Sequence, residues 1–124
     1  MAGLPPAARL RRAADFLALQ RATGRWQGKH FALRWIESPQ GFARLGLAVS
    51  RKVSKRAVER NRIKRVVRES FRSERKGLPP LDVLVIACNS AAETDNTALR
   101  ADLELAWQKL KALKRASAPG TIGG

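Results

Sequence analysis

The segment Ala57-Val58-Glu59-Arg60-Asn61-Arg62-Ile63-Lys64-Arg65-Val66-Val67-Arg68-Glu69 decides how this chain is read. At about 100° per residue around a helix, Arg60, Lys64, Arg68, Asn61, Arg72 and Arg65 share one arc, with Arg62 at its far edge. Ile63, Val66, Val67, Ser70 and Phe71 occupy the other arc, and Val58 is the exception near the start. The spacing predicts a helix over residues 55–73, with one packed face and one basic ridge. Gly77, Pro79 and Pro80 end it.

A charged helix face is usually just solvated, and such faces mix signs for pairing between successive turns. Here the window 51–76 holds 12 Lys or Arg against 3 Glu, a net of +9. Arg outnumbers Lys 17 to 8 over the chain, and its planar fork suits phosphates and stacked bases. Asn61 adds directional donors and an acceptor without charge. Phosphate binding is therefore expected of the ridge.

The composition agrees. The 124 residues carry 25 Lys or Arg and 10 Asp or Glu, a net charge of +15. Such a domain repels itself unless a polyanion compensates, and nucleic acid precedes an anionic membrane surface as the expected partner. A hydrophobic content of 44% excludes a wholly disordered basic tail.

Outward from the basic helix, the periodicity changes several times. Leu45, Leu47 and Val49 alternate along a strand at 44–50. The nearly continuous apolar run 81–88 suits a central strand covered on both faces. The aromatic content of 31–36 favours another strand, with a short one near 25–28 before it. Ala13, Phe16, Leu17 and Gln20 share a face of a first helix over 12–22. Thr94 or Asp95 caps a last helix reaching about residue 114, whose stripe is Leu99, Leu103, Ala106, Trp107, Leu110 and Leu113. The order is α-β-β-β-α-β-α, an α+β domain with a small sheet. Residues 1–8 read as an extended segment, 9–114 as one domain and 115–124 as a tail.

Several chemistries are excluded. A single cysteine, Cys88, forms no internal disulfide, and with the single His30 it leaves too few soft ligands for zinc. No run approaches the roughly 20 apolar residues of a membrane span, so no membrane partner and a cytoplasmic location are expected. The carboxylates are scattered; only Glu93/Asp95 and Asp102/Glu104 lie close in sequence, where capping and surface charge account for them. No catalytic residue and no metal ligand is expected in the protein. Trp107 belongs to the core stripe, whereas Trp26 and Trp35 suit either the core or a stacking platform.

The quoted segment resembles the RNR signature of the bacterial ribonuclease P protein subunit. Leu45-Gly46-Leu47-Ala48-Val49-Ser50-Arg51-Lys52-Val53 is similar to that family's strand leading into the RNR helix. Asp15-Phe16, His30-Phe31-Ala32-Leu33 and the apolar run 82–87 fall in the family's order, so the resemblance covers roughly residues 9–113. It implies a four-stranded sheet in which the RNR helix joins two parallel strands by a left-handed crossover, against the general right-handed rule.

The resemblance also implies a function: assisting a catalytic RNA that removes the 5′ leader from precursor tRNA. By position, Arg60, Asn61, Arg62, Lys64, Arg65 and Arg68 would bind the RNA subunit, with Ser50, Arg51, Lys52 and Lys55 leading into that surface. Phe16, Gln20, Phe31 and Arg34 would line a cleft for the leader, between the first helix and one face of the sheet. Family members often carry aromatics where this chain has Gln20 and Arg34, so Arg34 or Trp35 would replace part of the stacking. Mg²⁺ would act mainly through the RNA, the protein alone would be inactive, and no protein oligomer is implied. A general RNA-binding module, such as a ribosomal protein or RNA chaperone, explains the charge and size but not the ordered RNR block. A helix-based DNA binder lacks a partner helix upstream, because 44–50 reads as a strand.

Overall fold

The apolar run near residue 81 becomes the inner strand of a sheet. The computed structural model describes residues 24–116 together with Ala8, Arg9, Leu19 and Ala22. In chain order the elements are β1 (Gly24–Gln27), β2 (Phe31–Glu37), β3 (Arg44–Ala48), α1 (Ala57–Glu74), β4 (Leu81–Ala87) and α2 (Asn96–Ala116). Short 3₁₀ turns at Arg75–Gly77 and Asn89–Glu93 flank β4. The sheet order is β1-β2-β4-β3. β2 pairs antiparallel with β1 and β4, whereas β3 runs parallel to β4, with α1 as the connection between them. The expected α+β architecture is therefore present in the described elements. The helix expected at 12–22 lies outside the described residues, except for Leu19 and Ala22. Ala8 is fully buried in the main core and Arg9 forms a parallel bridge to Leu45.

Strand alternation and pairing register sort the side chains onto two faces. Phe31, Leu33 and Trp35 of β2 share one face with Val83, Val85 and Ala87 of β4, and all six are buried in the main core. Both helices cover this face. Ile63, Val66, Val67 and Phe71 of α1 meet Leu99, Leu103, Ala106, Trp107 and Leu110 of α2 there. Phe71 and Trp107 pack edge to face with centroids 5.7 Å apart. The buried Trp107 indole N–H donates to Ser70 Oγ at 2.7 Å, which satisfies its one donor. Trp107 and Trp35 are thus core residues. The start of α2 is set by Asp95, whose Oδ1 accepts the Ala98 N–H at 2.8 Å.

The opposite face carries Arg34, Ile36, Asp82 and Leu84. Leu19 and Ala22 form a second small core, with Ile36 and Leu84 packed against it. At one end of this face Arg44 Nε and Nη2 donate to Asp82 Oδ1 and Oδ2 at 2.8 and 2.7 Å. The two side chains are 11% and 3% exposed. Arg44 and Asp82 are Cα partners in the parallel register of β3 and β4, so the bidentate pair holds that register. Arg44→Met leaves the Asp82 carboxylate buried without this partner, and removing one member of a buried pair costs about 3–5 kcal/mol. Urea denaturation is expected to show a loss of that size; a loss well under 1 kcal/mol would mean that the pair is dispensable to the register.

Candidate nucleic-acid interface

The apolar face of α1 is consumed by packing, so its outer face is displayed to solvent. Asn61, Arg65, Arg68 and Arg72 are exposed and recur at helical spacing. Over that span the helix rises about 16 Å at 1.5 Å per residue. Among the described residues, no carboxylate forms an ion pair with Arg65, Arg68 or Arg72. Lys64 is half-buried on the flank. Like-charged neighbours on a helix destabilise it by about 0.2–0.5 kcal/mol per pair. Three such pairs (Lys64–Arg68, Arg65–Arg68, Arg68–Arg72) total about 1 kcal/mol, less than burying Phe71 alone contributes. The fold can therefore carry an unpaired cationic ridge at small cost.

The segment entering α1 extends the ridge. Ser50, Arg51, Lys52 and Lys55 are all exposed. The turn is shaped by its own backbone: Val53 N–H donates to Ser50 O at 3.0 Å, and Lys52 N–H to Ser50 Oγ at 3.2 Å. Arg60 is half-buried and reaches back, donating from Nη1 to the carbonyls of Ser54 and Lys55 at 3.0 Å each. It thus braces the turn that presents Lys52 and Lys55.

Arg62 departs from the expected role. Its guanidinium donates to Glu59 Oε1 at 2.9 Å, Thr94 O at 3.1 Å, Asn96 Oδ1 at 2.7 Å and Ala92 O at 3.3 Å. Arg62 is therefore a clamp between α1 and the turn before α2, with its guanidinium engaged inside the fold rather than held out with the ridge. Its place at the far edge of the basic arc is the physical reason, because that edge faces the neighbouring turn rather than solvent.

The second expected surface is also revised. Phe31 is fully buried in the main core, on the face opposite Arg34, so it does not line a cleft on the Arg34 face. Odd and even strand positions point to opposite sides, which separates the two residues. Phe16 and Gln20 lie outside the described residues. Arg34 is half-buried, and its Cα partner across β1 is Arg25, which is exposed. Arg25 was not evident in the sequence; only the hairpin register brings it beside Arg34. Arg56 and Arg72 likewise join the exposed basic surface, and for Arg72 the helical spacing already carried the signal.

Comparison with known proteins places this geometry. Residues 4–111 match the sequence profile of the family Ribonuclease P. The chain belongs to the ribonuclease P protein family. It is 39% identical over 108 residues to the ribonuclease P protein component of Thioalkalivibrio sulfidiphilus, covering 87% of this chain and 90% of that protein. It is 49% identical over 81 residues to that of Idiomarina loihiensis, covering 65% of each. The structure of the Staphylococcus aureus RNase P protein is similar at a TM-score of 0.74 and 28% identity, covering 89% of this chain and 95% of that one.

The two classes of arginine separate experimentally. Arg62→Ala removes four hydrogen bonds from a half-buried clamp and is expected to cost about 1–3 kcal/mol of stability. Arg65→Ala, at an exposed position, is expected to stay within about 0.5 kcal/mol. Thermal and chemical unfolding of the two variants checks this; equal losses would refute the division.

Proposed function

We propose that this chain is the protein subunit of ribonuclease P and assists a catalytic RNA in removing the 5′ leader from precursor tRNA. The observation that carries the reading is the unpaired stripe Asn61, Arg65, Arg68 and Arg72, displayed by a helix that bears the family's RNR signature. With the turn at Ser50, Arg51, Lys52 and Lys55, the stripe neutralises phosphates of the RNA subunit, and the released counterions drive binding. Arg60 positions that turn.

The leader lies along the sheet face that carries Arg25 and Arg34, beside Ile36 and Leu84. Guanidinium planes there take over part of the work of aromatic stacking, since Arg both pairs with phosphate and stacks on bases. Precursor is thereby preferred over mature tRNA, which has no leader. We assign the Mg²⁺ chemistry to the RNA. Among the described residues no three His, Cys, Asp or Glu side chains gather to hold an ion. The buried carboxylates are occupied otherwise, Asp82 by Arg44 and Asp102 by backbone N–H groups. No described helix is long and apolar enough to cross a membrane, and a cytoplasmic ribonucleoprotein is the setting we propose.

The test is precursor-tRNA cleavage at low Mg²⁺ by a bacterial ribonuclease P RNA, with and without this protein, and by the protein alone. Efficient 5′ leader removal is expected only when RNA and protein are combined. RNA binding with no gain in cleavage, across several RNA subunit types, would replace this reading with a general RNA-binding module.

Two variants then resolve the surfaces. Arg65→Ala is expected to flatten the dependence of log affinity for the RNA subunit on log salt by about 0.9, if the contacted RNA is duplex-like. Arg34→Ala is expected to weaken precursor binding while sparing RNA-subunit assembly. An unchanged slope in the first variant, or equal losses in the second, would reject the corresponding assignment.

A further inference from the structure

Neither surface above uses the turn between β1 and β2. On the helical side of the sheet, at the end away from α1, this turn and α2 border an open cavity of about 550 Å³. Trp26, Lys29, Ala98, Ala101, Asp102 and Leu105 are among its lining residues. The volume falls within the range of small-molecule sites. Its walls are apolar on two sides. Trp26 is half-buried at the edge of the main core, and Leu105 is 58% exposed on α2.

The cavity is built rather than incidental. A Cβ at Gly28 would stand 2.3 Å from the Trp26 ring and 2.8 Å from Asp102 Oδ1, so a bare backbone at Gly28 is what lets the ring lie against the turn. Asp102 is 6% exposed. Its Oδ1 accepts the Lys29 N–H at 3.1 Å, and its Oδ2 accepts the N–H groups of His30 and Phe31 at 3.0 and 3.1 Å. One buried carboxylate thus holds three successive backbone donors and fixes the turn on α2, with its charge spread into those bonds. Ser90 Oγ adds a further tie to Lys29 O at 3.1 Å. Lys29 is left exposed at the mouth.

We infer that this cavity receives a single unpaired nucleobase of bound RNA, stacked on Trp26 against Leu105, Ala98 and Ala101, with the adjoining phosphate at Lys29. The inference rests on the RNA-binding reading above. The occupant is argued from chemistry: an aromatic platform and an apolar wall beside an exposed cation, on a chain of net charge +15, match a flat base attached to a phosphate. The site lies across the sheet from Arg34, so it is separate from the proposed leader surface.

The experiment titrates the full-length protein with pentaadenylate, and with an abasic ribose-phosphate oligomer of the same length. Binding to ribonuclease P RNA is measured in parallel. Pentaadenylate is expected to shift the Trp26 indole N–H resonance while the abasic oligomer does not. Trp26→Leu is expected to weaken pentaadenylate binding about 5- to 160-fold, as loss of a stacked base does. Lys29→Ala is expected to lower the salt slope by about 0.7, the single-strand value. Should Trp26→Leu unfold, the exposed Leu105→Asn decides, with a several-fold loss expected at unchanged salt slope. The proposal is overturned if the abasic oligomer moves Trp26 equally. It is also overturned if Leu105→Asn binds as the parent does, or if pentaadenylate binding is lost only in Arg34→Ala. Retained ribonuclease P RNA binding without any pentaadenylate effect sinks this inference alone; loss of both sinks the RNA-binding reading beneath it.

Discussion

Strands β3 and β4 are adjacent and point the same way, and this constraint organises the rest of the molecule. A parallel pair cannot be closed by a tight turn; it needs a crossover long enough to return the chain to its starting edge, usually a helix. Here that crossover is α1. To lie on the sheet it must bury a continuous apolar stripe, which Ile63, Val66, Val67 and Phe71 supply. The opposite face is then held outward along its whole length. The basic ridge is exposed because, among the described residues, the topology leaves that side of α1 nothing else to meet.

The same packing divides the arginines by what surrounds them. Arg44 lies in the sheet and pairs with a buried carboxylate. Arg62 sits at the boundary between α1 and the turn before α2, where backbone carbonyls need donors, and it satisfies two at once. Arg60 points back along the helix onto the turn that precedes it. Arg65, Arg68 and Arg72 meet no acceptor among the described residues and retain their full capacity for an external anion. A net charge of +15 therefore overstates the binding surface. Part of the positive charge holds the fold, part is displayed on α1 and the turn leading into it, and Arg25, Lys29 and Arg34 stand apart from that ridge.

Much of this was legible in one dimension. The span of α1, the inner position of β4, the cap at Asp95 and the core role of Trp107 follow from periodicity and local hydrogen-bonding chemistry, which act within a few residues. The RNR block identified the family for the same reason, because its meaning lies in consecutive residues. What escaped were relations between distant segments. Phe31 and Arg34 stand close in sequence but on opposite faces, so they cannot share a cleft. Arg25 comes beside Arg34 only through the hairpin register. Arg62 looked like its neighbours until the turn at 92–96 was folded against it.

From residue 24 onward the sequence by itself determined the strands and helices, their order, the cationic character of one helix and the family, since spacing and composition encode these directly. Tertiary structure alone decided which cations are occupied, which sheet face meets the helices, and that Asp102 ties three backbone donors of the β1–β2 turn to a helix some seventy positions away. Those outcomes depend on which groups lose water together when the layers close, and a linear pattern does not specify those pairings.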